Sequence, residues 1–289
     1  MIRKPYTIPL PGRAPLVLGE RTLLMGILNV TPDSFADGGL RLDPARAVAD
    51  GLQMAADGAD ILDVGGESTR PGADPVPEDE ELRRVLPVVE RLAADARIVV
   101  SVDTYKAVVA REAVRRGAVM VNDVSGLQYD AALAAAVAET GAALVLMHNR
   151  GRSREMYRDA HYTNVAAEIA AELEAAIGRA TAAGVRRDAI VVDPGLGFAK
   201  RAEHTYDALA HLPRLAALDR PIVSGPSRKS FLTLPTGQRS PGERDWGTAA
   251  AVAASVLLGA HIVRVHAVRE MADVVRVADR IRAAAERAG

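Results

Sequence analysis

The sequence contains no cysteine, which excludes disulfides and thiolate metal sites. This composition suits a reducing compartment, and we expect a cytoplasmic protein. The first 19 residues are interrupted by four prolines and lack the apolar core of a signal peptide. No apolar run is long enough to cross a bilayer, and the net charge of −1 gives no general attraction to nucleic acid or anionic membranes. We therefore expect neither a membrane nor a nucleic acid as partner.

Aromatic residues make up only 3% of the chain, so an aromatic side chain inside a polar loop stands out. Lysine is also scarce, because only Lys4, Lys106, Lys200 and Lys229 are lysines among 36 basic residues. Three of the four follow predicted strands, where an ammonium group could have a specific use. For Lys106 and Lys200, it is at least as good an explanation that the lysine was retained by chance.

Short apolar runs alternate with amphipathic segments along most of the 289 residues. Continuously apolar strands are typical of a parallel sheet with both faces buried. The predicted strands are 23–28, 61–64, 98–102, 119–121, 143–147, 190–192, 222–224 and 262–265. The predicted helices are 43–57, 78–94, 105–116, 131–139, 165–183, 205–218, 248–258 and 270–288.

Eight strand–helix units in one chain of this length predict an α/β fold, a single (β/α)8 TIM barrel. We assign the barrel to residues 23–289 and a short N-terminal extension to residues 1–22, which we expect to form a small hairpin over the barrel bottom. The strand–helix turns lack a Gly-x-Gly-x-x-Gly pattern, which argues against an open dinucleotide-binding sheet.

The first strand ends at Asn29 and opens into a polar loop that continues to residue 39. Pro32 and the following Asp, Ser and Gly residues exclude a helix or strand there. Phe35 lies within this loop, where a simple connection would carry no aromatic side chain. This combination predicts a lid over a site. Asp33 and Asp37 could bind a metal or form a latch to another loop, and the sequence does not choose between these roles.

Polar residues follow nearly every predicted strand, at the barrel end where active sites lie. They are Asn29, Asp63, Asp103, Asn122, Asp123, His148, Asp193, Lys229, Arg264 and His266. Asp103 and Asp193 end buried strands, and with Asn122 they suit a heterocycle that presents several N–H donors. The alternative for each Asp is a helix N-cap.

The cations lie after the last two strands, where barrels commonly bind phosphate. Arg264 and His266 are two residues apart on a strand and so face the same side. Together with Asn29 they could hold phosphate or pyrophosphate. The alternative for Arg264 is an ion pair with Asp103 or Asp193. We interpret His148 as a satisfied core histidine, because no second ligand stands at metal spacing.

A second predicted lid spans residues 67–72. Arg70 lies there before Pro71, and it could form a latch with Asp33 or Asp37 of the first loop. The alternative is an exposed ion pair that contributes little to stability.

These residues resemble the motifs of the dihydropteroate synthase family of pterin-binding enzymes, from about residue 23 to the C-terminus. Eight motifs occur in the expected order, and that order is far more specific than any one of them. The motifs are ILNVTPDSF (27–35), DVGGESTRPG (63–72), SVDT (101–104), NDVSG (122–126), LMH (146–148), DPGLGF (193–198), SRKSF (227–231) and RVH (264–266).

The resemblance implies a transferase of folate biosynthesis. It would condense 6-hydroxymethyl-7,8-dihydropterin pyrophosphate with p-aminobenzoate, giving 7,8-dihydropteroate and pyrophosphate. Mg²⁺ would assist loss of pyrophosphate, and the arylamine would then attack. The resemblance also implies a homodimer, formed through helices late in the barrel, and inhibition by sulfonamides, which mimic p-aminobenzoate.

The family's functional residues map onto matching positions of this chain. The pterin would contact Asp103, Asn122, Asp193, Gly225, Lys229 and Arg264. Pyrophosphate would contact Asn29, Arg264 and His266, and Asn29 would bind the Mg²⁺. The p-aminobenzoate site would comprise Phe35, Thr69, Arg70, Pro71, Phe198 and Ser227. The residues expected to act in catalysis are Asn29, Asp103, Lys229 and Arg264.

Two positions depart from the family pattern. Ala199 follows Phe198 where Gly is frequent, and Ala267 follows His266 where Asp is frequent. Two other functions use a similar barrel, namely a pterin-binding methyltransferase domain with a corrinoid partner and a non-catalytic pterin-binding paralogue. The cations after the last two strands argue against the first, and the intact loop after Asn29 argues against the second.

Overall fold

The computed structural model describes residues 3–31, 43–69, 72–152, 157–158 and 160–287. Strands β1 (Tyr6–Leu10) and β2 (Arg13–Leu18) form an antiparallel hairpin. Eight parallel strands follow: β3 (Leu23–Asn29), β4 (Ile61–Gly65), β5 (Val99–Asp103), β6 (Met120–Asp123), β7 (Ala143–Met147), β8 (Ile190–Asp193), β9 (Val223–Ser224) and β10 (Ile262–Val265).

The α-helices cover the outside of this sheet. They are α1 (Pro44–Ala56), α2 (Glu78–Ala93), α3 (Ala107–Arg115), α4 (Leu133–Thr140), α5 (Val165–Ala182), α6 (Ala202–Ala210), α7 (Thr233–Thr236), α8 (Asp245–Leu257) and α9 (Val268–Arg287). Short 3-10 helices lie at Arg187–Ala189, Leu212–Leu218, Ser230–Leu232 and Pro241–Arg244. In the described part of the chain, no helix is long and apolar enough to span a bilayer.

The eight parallel strands form a barrel, as predicted. They pair in the order β8-β7-β6-β5-β4-β3-β10-β9, and a parallel bridge between Val192 and Ile222 joins the two ends of the sheet. The apolar outward faces of the strands pack against the helices in one large core. This arrangement confirms the (β/α)8 fold.

The bottom of the barrel interior is apolar and is closed by the hairpin. Ile8, Leu10 and Leu18 of the hairpin pack in one cluster with Met25, Ile61, Met120, Val145, Val191 and Ile262 of the strands. Side chains alternate along a strand, so the residue two positions further on also faces inward. This places Asp63, Asn122, Asp193 and Arg264 in the next layer up, so the barrel interior changes from apolar to charged within one layer.

The predicted helix 205–218 is divided in the structure. Helix α6 ends at Ala210, and a 3-10 helix covers Leu212–Leu218 with Pro213 in its first turn. Proline has no backbone N–H and cannot continue the α-helical bonding pattern, so the chain begins a new helix there. The turns between β9 and α8 include α7 and two 3-10 helices that the sequence pattern did not predict.

Candidate active site

A cavity of about 300 Å³ opens at the C-terminal ends of the strands. Nine of the predicted site residues line it, and they come from the ends of six strands or from the loops that follow them. Its lining residues are Ile27, Asn29, Thr31, Glu67, Ser68, Thr69, Asp103, Tyr157, Gly197, Phe198, Gly225, Ser227, Arg228, Lys229, Ser230, Pro241, Arg244, Arg264 and His266. Asn122 and Asp193 are not among them, and both are buried at the strand ends.

Arg264 holds the centre of the charged layer. Its Nε donates to Oδ2 of Asp63 at 2.7 Å, and its Nη2 donates to Oδ2 of Asp103 at 2.6 Å. Nδ2 of Asn122 donates to the same oxygen of Asp63 at 2.8 Å. The ion pair with Asp103 was the structural alternative for Arg264, whereas the pair with Asp63 was not foreseen. Asp63 is fully buried and joins two predicted pterin-binding side chains.

Burial sets the protonation of these groups. It raises the pKa of Asp103 to about 7, a shift that Arg264 opposes and the charge of Asp63 reinforces. Burial also raises the pKa of Asp193, although Lys229 counteracts it. For Arg264, burial lowers the pKa, but Asp63 and Asp103 together outweigh it and raise the pKa above its usual value. Three carboxyl groups thus face two cations, which favours a ligand with donors or with developing positive charge.

Lys229 lies beside the second buried carboxylate, Asp193. Burial lowers the pKa of Lys229 to about 8, against the attraction of Asp193. Its ammonium nitrogen also lies 4.4 Å from the ring centroid of Phe198, in cation–π contact. A methyl group built on Gly225 would lie 3.8 Å from Lys229 Nζ and 3.9 Å from Asp193 Oδ2. Glycine therefore keeps the space between these two groups open to a ligand.

Ser227 and His266 form a hydrogen-bonded pair in the wall of the cavity. The backbone N–H of His266 donates to Ser227 Oγ at 3.2 Å, and Oγ lies 2.9 Å from His266 Nδ1. In the charged ring both nitrogens carry protons, so Nε2–H is a donor that suits an anion. In the neutral ring either Nδ1 or the Ser227 hydroxyl can be the donor, and Nε2 carries the ring proton when the hydroxyl donates to Nδ1.

Asn29 ends β3 and lines the cavity with a half-buried side chain. Among the described residues, no group of three His, Cys, Asp or Glu side chains could hold a metal by itself. Mg²⁺ is, however, commonly bound by one or two protein oxygens, with substrate phosphates and water completing the shell. A single amide oxygen at the cavity wall fits that pattern.

The helix N-cap alternative for the two aspartates is wrong. Lys106 and Arg201 occupy the N-cap positions of α3 and α6. Asp193 accepts a hydrogen bond from the backbone N–H of Gly195 at 2.7 Å, which orients the carboxylate at the turn after β8.

The structure assigns His148 to the core, as the sequence analysis expected. Its Nε2 lies 3.0 Å from Glu172 and its Nδ1 lies 2.8 Å from Nζ of Lys200. Burial lowers the pKa of His148 to about 4, so the ring is neutral at pH 7. Lys200 is 1% exposed and also donates to the carbonyl oxygens of Gly195 and Phe198, at 3.1 and 3.0 Å. The ammonium group of Lys200 therefore has a structural use, because it ties down the turn that carries Phe198.

Half of the residues predicted for p-aminobenzoate line the cavity, and the other half lie outside the described residues. Thr69 lines the cavity together with Phe198 and Ser227, three of the six residues predicted for p-aminobenzoate. The other three, Phe35, Arg70 and Pro71, lie outside the described residues, as do Asp33 and Asp37 of the predicted lid and latch. Nothing in the structure tests those predictions.

Sequence reasoning missed Arg244 as a cavity residue. Its Nη1 donates to the carbonyl oxygen of Arg228 at 2.9 Å, and Arg228 makes a two-bond ion pair with Asp245, each bond 2.8 Å long. Arg228 has a φ of 56°, a left-handed conformation, and these bonds hold the backbone there. A run of Arg, Asp and Gly in a predicted loop gave no signal for this arrangement.

Comparisons with known proteins agree with this site. The family model described as "Pterin binding enzyme" matches residues 25–266. Dihydropteroate synthase of Mycobacterium leprae is 50% identical over 260 residues, which cover 88% of this chain and 91% of that protein.

Two solved structures are also similar. Dihydropteroate synthase of Xanthomonas albilineans with 4-aminobenzoic acid has a TM-score of 0.89 and 43% identity, covering 97% of this chain and 99% of that one. The Yersinia pestis enzyme in a sulfonamide drug complex has a TM-score of 0.89 and 38% identity, covering 96% and 99%. The chain therefore belongs to the pterin-binding enzyme family and, within it, to the dihydropteroate synthases.

Proposed function

We propose that this protein condenses 6-hydroxymethyl-7,8-dihydropterin pyrophosphate with p-aminobenzoate, giving 7,8-dihydropteroate and pyrophosphate. The observation that carries the proposal is the buried charged layer under the cavity, in which Arg264 is held between Asp63 and Asp103 and Lys229 lies beside Asp193. The 4-aminobenzoic acid in the similar Xanthomonas albilineans structure supports the second substrate.

The pterin would lie on this charged layer. A pterin edge presents several N–H donors, and the carboxylates of Asp103 and Asp193 are acceptors of matching polarity. The Lys229 ammonium would donate to the ring carbonyl or a ring nitrogen, and the plane of Arg264 would stack on the ring. The absence of a side chain at Gly225 leaves room for the flat heterocycle.

The pyrophosphate would lie toward Asn29, Arg264 and His266. The charged ring of His266 would donate to an anion through Nε2–H, and the neutral ring would do so in the tautomer whose Nδ1 accepts from Ser227. Arg264 adds a permanent positive charge. Asn29 would supply one oxygen ligand to Mg²⁺, and this ion, when bound, would offset the charge that develops on the leaving pyrophosphate.

The reaction needs no protein nucleophile. The C–O bond to pyrophosphate breaks and its electron pair leaves with the pyrophosphate, while positive charge develops on the pterin methylene. The excess of carboxylates over cations around Asp103 stabilises that charge. The arylamine lone pair then forms the C–N bond, and the amine proton is released. The wall that includes Thr69, Phe198 and Ser227 would orient the amine and exclude water.

We also propose a homodimer and a cytoplasmic location. Apolar side chains are exposed on the neighbouring helices α8 and α9, with Leu257 at 44%, Val277 at 61% and Ile281 at 54%, and such a patch suits a second copy of the chain. The cytoplasm is where a multiply charged pyrophosphate ester, which does not cross a bilayer unaided, would be retained. Light scattering of the wild-type protein and of Val277→Asp tests the dimer.

Release of pyrophosphate tests the function directly. We expect release from the pterin pyrophosphate in the presence of Mg²⁺ and p-aminobenzoate, with an equal amount of dihydropteroate formed. Lys4→Met is a suitable control, because Lys4 is exposed and neither it nor its partner Asp219 lines the cavity. Absence of any release with Mg²⁺ and both substrates present would refute the proposal.

A further inference from the structure

The segment after β4 begins and ends at one buried cluster. Glu67, its first residue after the strand turn, accepts from the hydroxyl of Tyr105 at 2.8 Å through Oε1. Its Oε2 accepts from the backbone N–H of Val76 at 2.9 Å. The carboxylate of Glu67 therefore fixes the far end of the segment to its start. Ser68 and Thr69 follow directly and line the active-site cavity.

Lys106 completes this cluster from the neighbouring strand–helix unit. It lies at the N-cap of α3, and its Nζ donates to Glu67 Oε2 at 2.6 Å and to the carbonyl oxygen of Val76 at 2.6 Å. Its third hydrogen bond goes to Glu81 in the first turn of α2. One ammonium group thus donates to both ends of the segment after β4 and to α2, and its side chain is 9% exposed.

The charges make the ammonium indispensable to this arrangement. The side chains of Glu67 and Glu81 are 10% and 1% exposed and share one cation. Burial raises the pKa of Glu81, and the hydrogen bond from Lys106 counteracts that shift. Without Lys106, two poorly hydrated carboxylates would face each other, and the carbonyl of Val76 would lose its donor.

We propose that Lys106 is a positioning residue for the second substrate, because it joins Glu67 to Val76 and so places Ser68 and Thr69, which follow Glu67, in the wall of the p-aminobenzoate site. This inference rests on the proposed function, because it assigns that wall to p-aminobenzoate. Lys106 itself does not line the cavity, so it acts through the segment and contacts neither substrate.

Steady-state kinetics of Lys106→Met test the role. We expect the KM for p-aminobenzoate to rise at least tenfold, while the KM for the pterin pyrophosphate changes less than threefold. Glu81→Gln is the matched variant, because it retains the bonds from Lys106 to Glu67 and Val76, and we expect both KM values to stay within twofold of wild type. Arg3→Met removes a buried cation paired with Asp279, near the hairpin, and controls for lost stability.

The double variant Lys106→Met/Glu81→Gln separates positioning from charge balance. It keeps the net charge of the cluster at the wild-type value, because one cation and one anion are removed together. If the bonds from Lys106 to Glu67 and Val76 position the wall, the KM of the double variant for p-aminobenzoate stays raised. A return to the wild-type KM, or equal rises in both KM values in Lys106→Met, would overturn the proposal.

Hydrogen exchange gives a readout that needs no activity. In Lys106→Met we expect faster exchange in peptides covering residues 67–76, including the Val76 amide, and unchanged exchange in the hairpin β1–β2. Unchanged exchange in these peptides would overturn the proposal that Lys106 joins Glu67 to Val76. A wild-type protein that forms no dihydropteroate would instead refute the proposed function, and the exchange result would still decide whether Lys106 holds the segment.

Discussion

Arg264 on β10 donates from Nε to Oδ2 of Asp63 on β4 at 2.7 Å, across the intervening strand β3. The same carboxylate oxygen accepts from Asn122 on β6. Asp63 therefore sets the position of two side chains that come from different sides of the barrel. Its other oxygen, Oδ1, is buried and makes no hydrogen bond within the described residues.

Two substitutions of Asp63 should distinguish the effect of its charge from the effect of its hydrogen bonds. In Asp63→Asn the amide oxygen can keep both bonds, with the new NH₂ group on the side of the unpaired oxygen. In Asp63→Ala both bonds are lost, and we expect kcat/KM for the pterin pyrophosphate to fall roughly tenfold to a hundredfold, more than in Asp63→Asn. Equal activities in the two variants would show that Arg264 and Asn122 do not depend on this contact.

Asp193→Asn should weaken pterin binding. The amide oxygen can retain the bond from the Gly195 backbone N–H, which then places the NH₂ group where the free carboxylate oxygen stood. A donor there opposes the N–H edge of a pterin and faces Lys229. We expect the dissociation constant for the pterin, measured by calorimetry, to rise roughly tenfold to a hundredfold. An unchanged constant would remove Asp193 from the pterin site.

The depressed pKa of Lys229 predicts an alkaline limit to activity. Burial lowers the pKa to about 8, so the ammonium is lost as the pH rises through about 8. We expect kcat/KM for the pterin pyrophosphate to decline above that pH. Lys229→Met should have low activity at every pH and should lack this alkaline decline. A wild-type profile that stays flat to pH 9.5 would contradict the prediction.

Titration of Lys229 should also affect stability, but in the opposite direction, because the free energy of unfolding should rise over the pH range in which activity declines. The unfolded chain keeps the lysine proton up to a pKa of 10.5, whereas the folded protein releases it near 8. The unfolded state therefore binds more protons between these values, and the contribution of Lys229 to the free energy of unfolding rises with pH there. Urea denaturation at pH 8 and pH 10 should show this increase in wild type relative to Lys229→Met.

Ala199→Gly should be far less damaging than a glycine substitution at an ordinary buried alanine. Ala199 has a φ of 47°, in the left-handed region, which costs an L-residue about 1–2 kcal/mol. Relief of this strain offsets the lost methyl burial and the greater freedom of the unfolded chain, about 1 kcal/mol each. We expect Ala199→Gly to shift the free energy of unfolding by less than about 1 kcal/mol and Ala143→Gly, in buried β7, to destabilise by more. Urea denaturation compares the two, and equal losses would argue against strain at Ala199.

Sulfonamides should compete with p-aminobenzoate. Thr69, Phe198 and Ser227 line the cavity, and the similar Yersinia pestis structure holds a sulfonamide drug complex. A simple sulfonamide should raise the apparent KM for p-aminobenzoate and leave the KM for the pterin pyrophosphate unchanged. Normal turnover at high sulfonamide concentration and low p-aminobenzoate would refute this expectation.

Much of the fold was predictable because its signals are local. Apolar runs bounded by glycine or by polar residues marked all eight barrel strands, and the alternation with helices left few topologies to consider. The division of the helix near Pro213 was missed because the apolar pattern of 205–218 continues through the proline. The site residues were predictable as a set, because the carboxyl ends of parallel strands meet at one edge of the barrel.

Residue patterns alone were sufficient to identify the barrel, the polar residues at its strand ends and the family to which the chain belongs. These follow from periodicities and motifs that neighbouring residues encode. The pairing of the charged groups, in contrast, became known from the folded structure. Arg264 pairs with residues 201 and 161 positions away, Asp63 and Asp103, and Lys106 with Glu67, 39 positions away. Such pairs depend on distances of a few ångströms across the barrel and between its loops, and no local pattern in the chain records those distances.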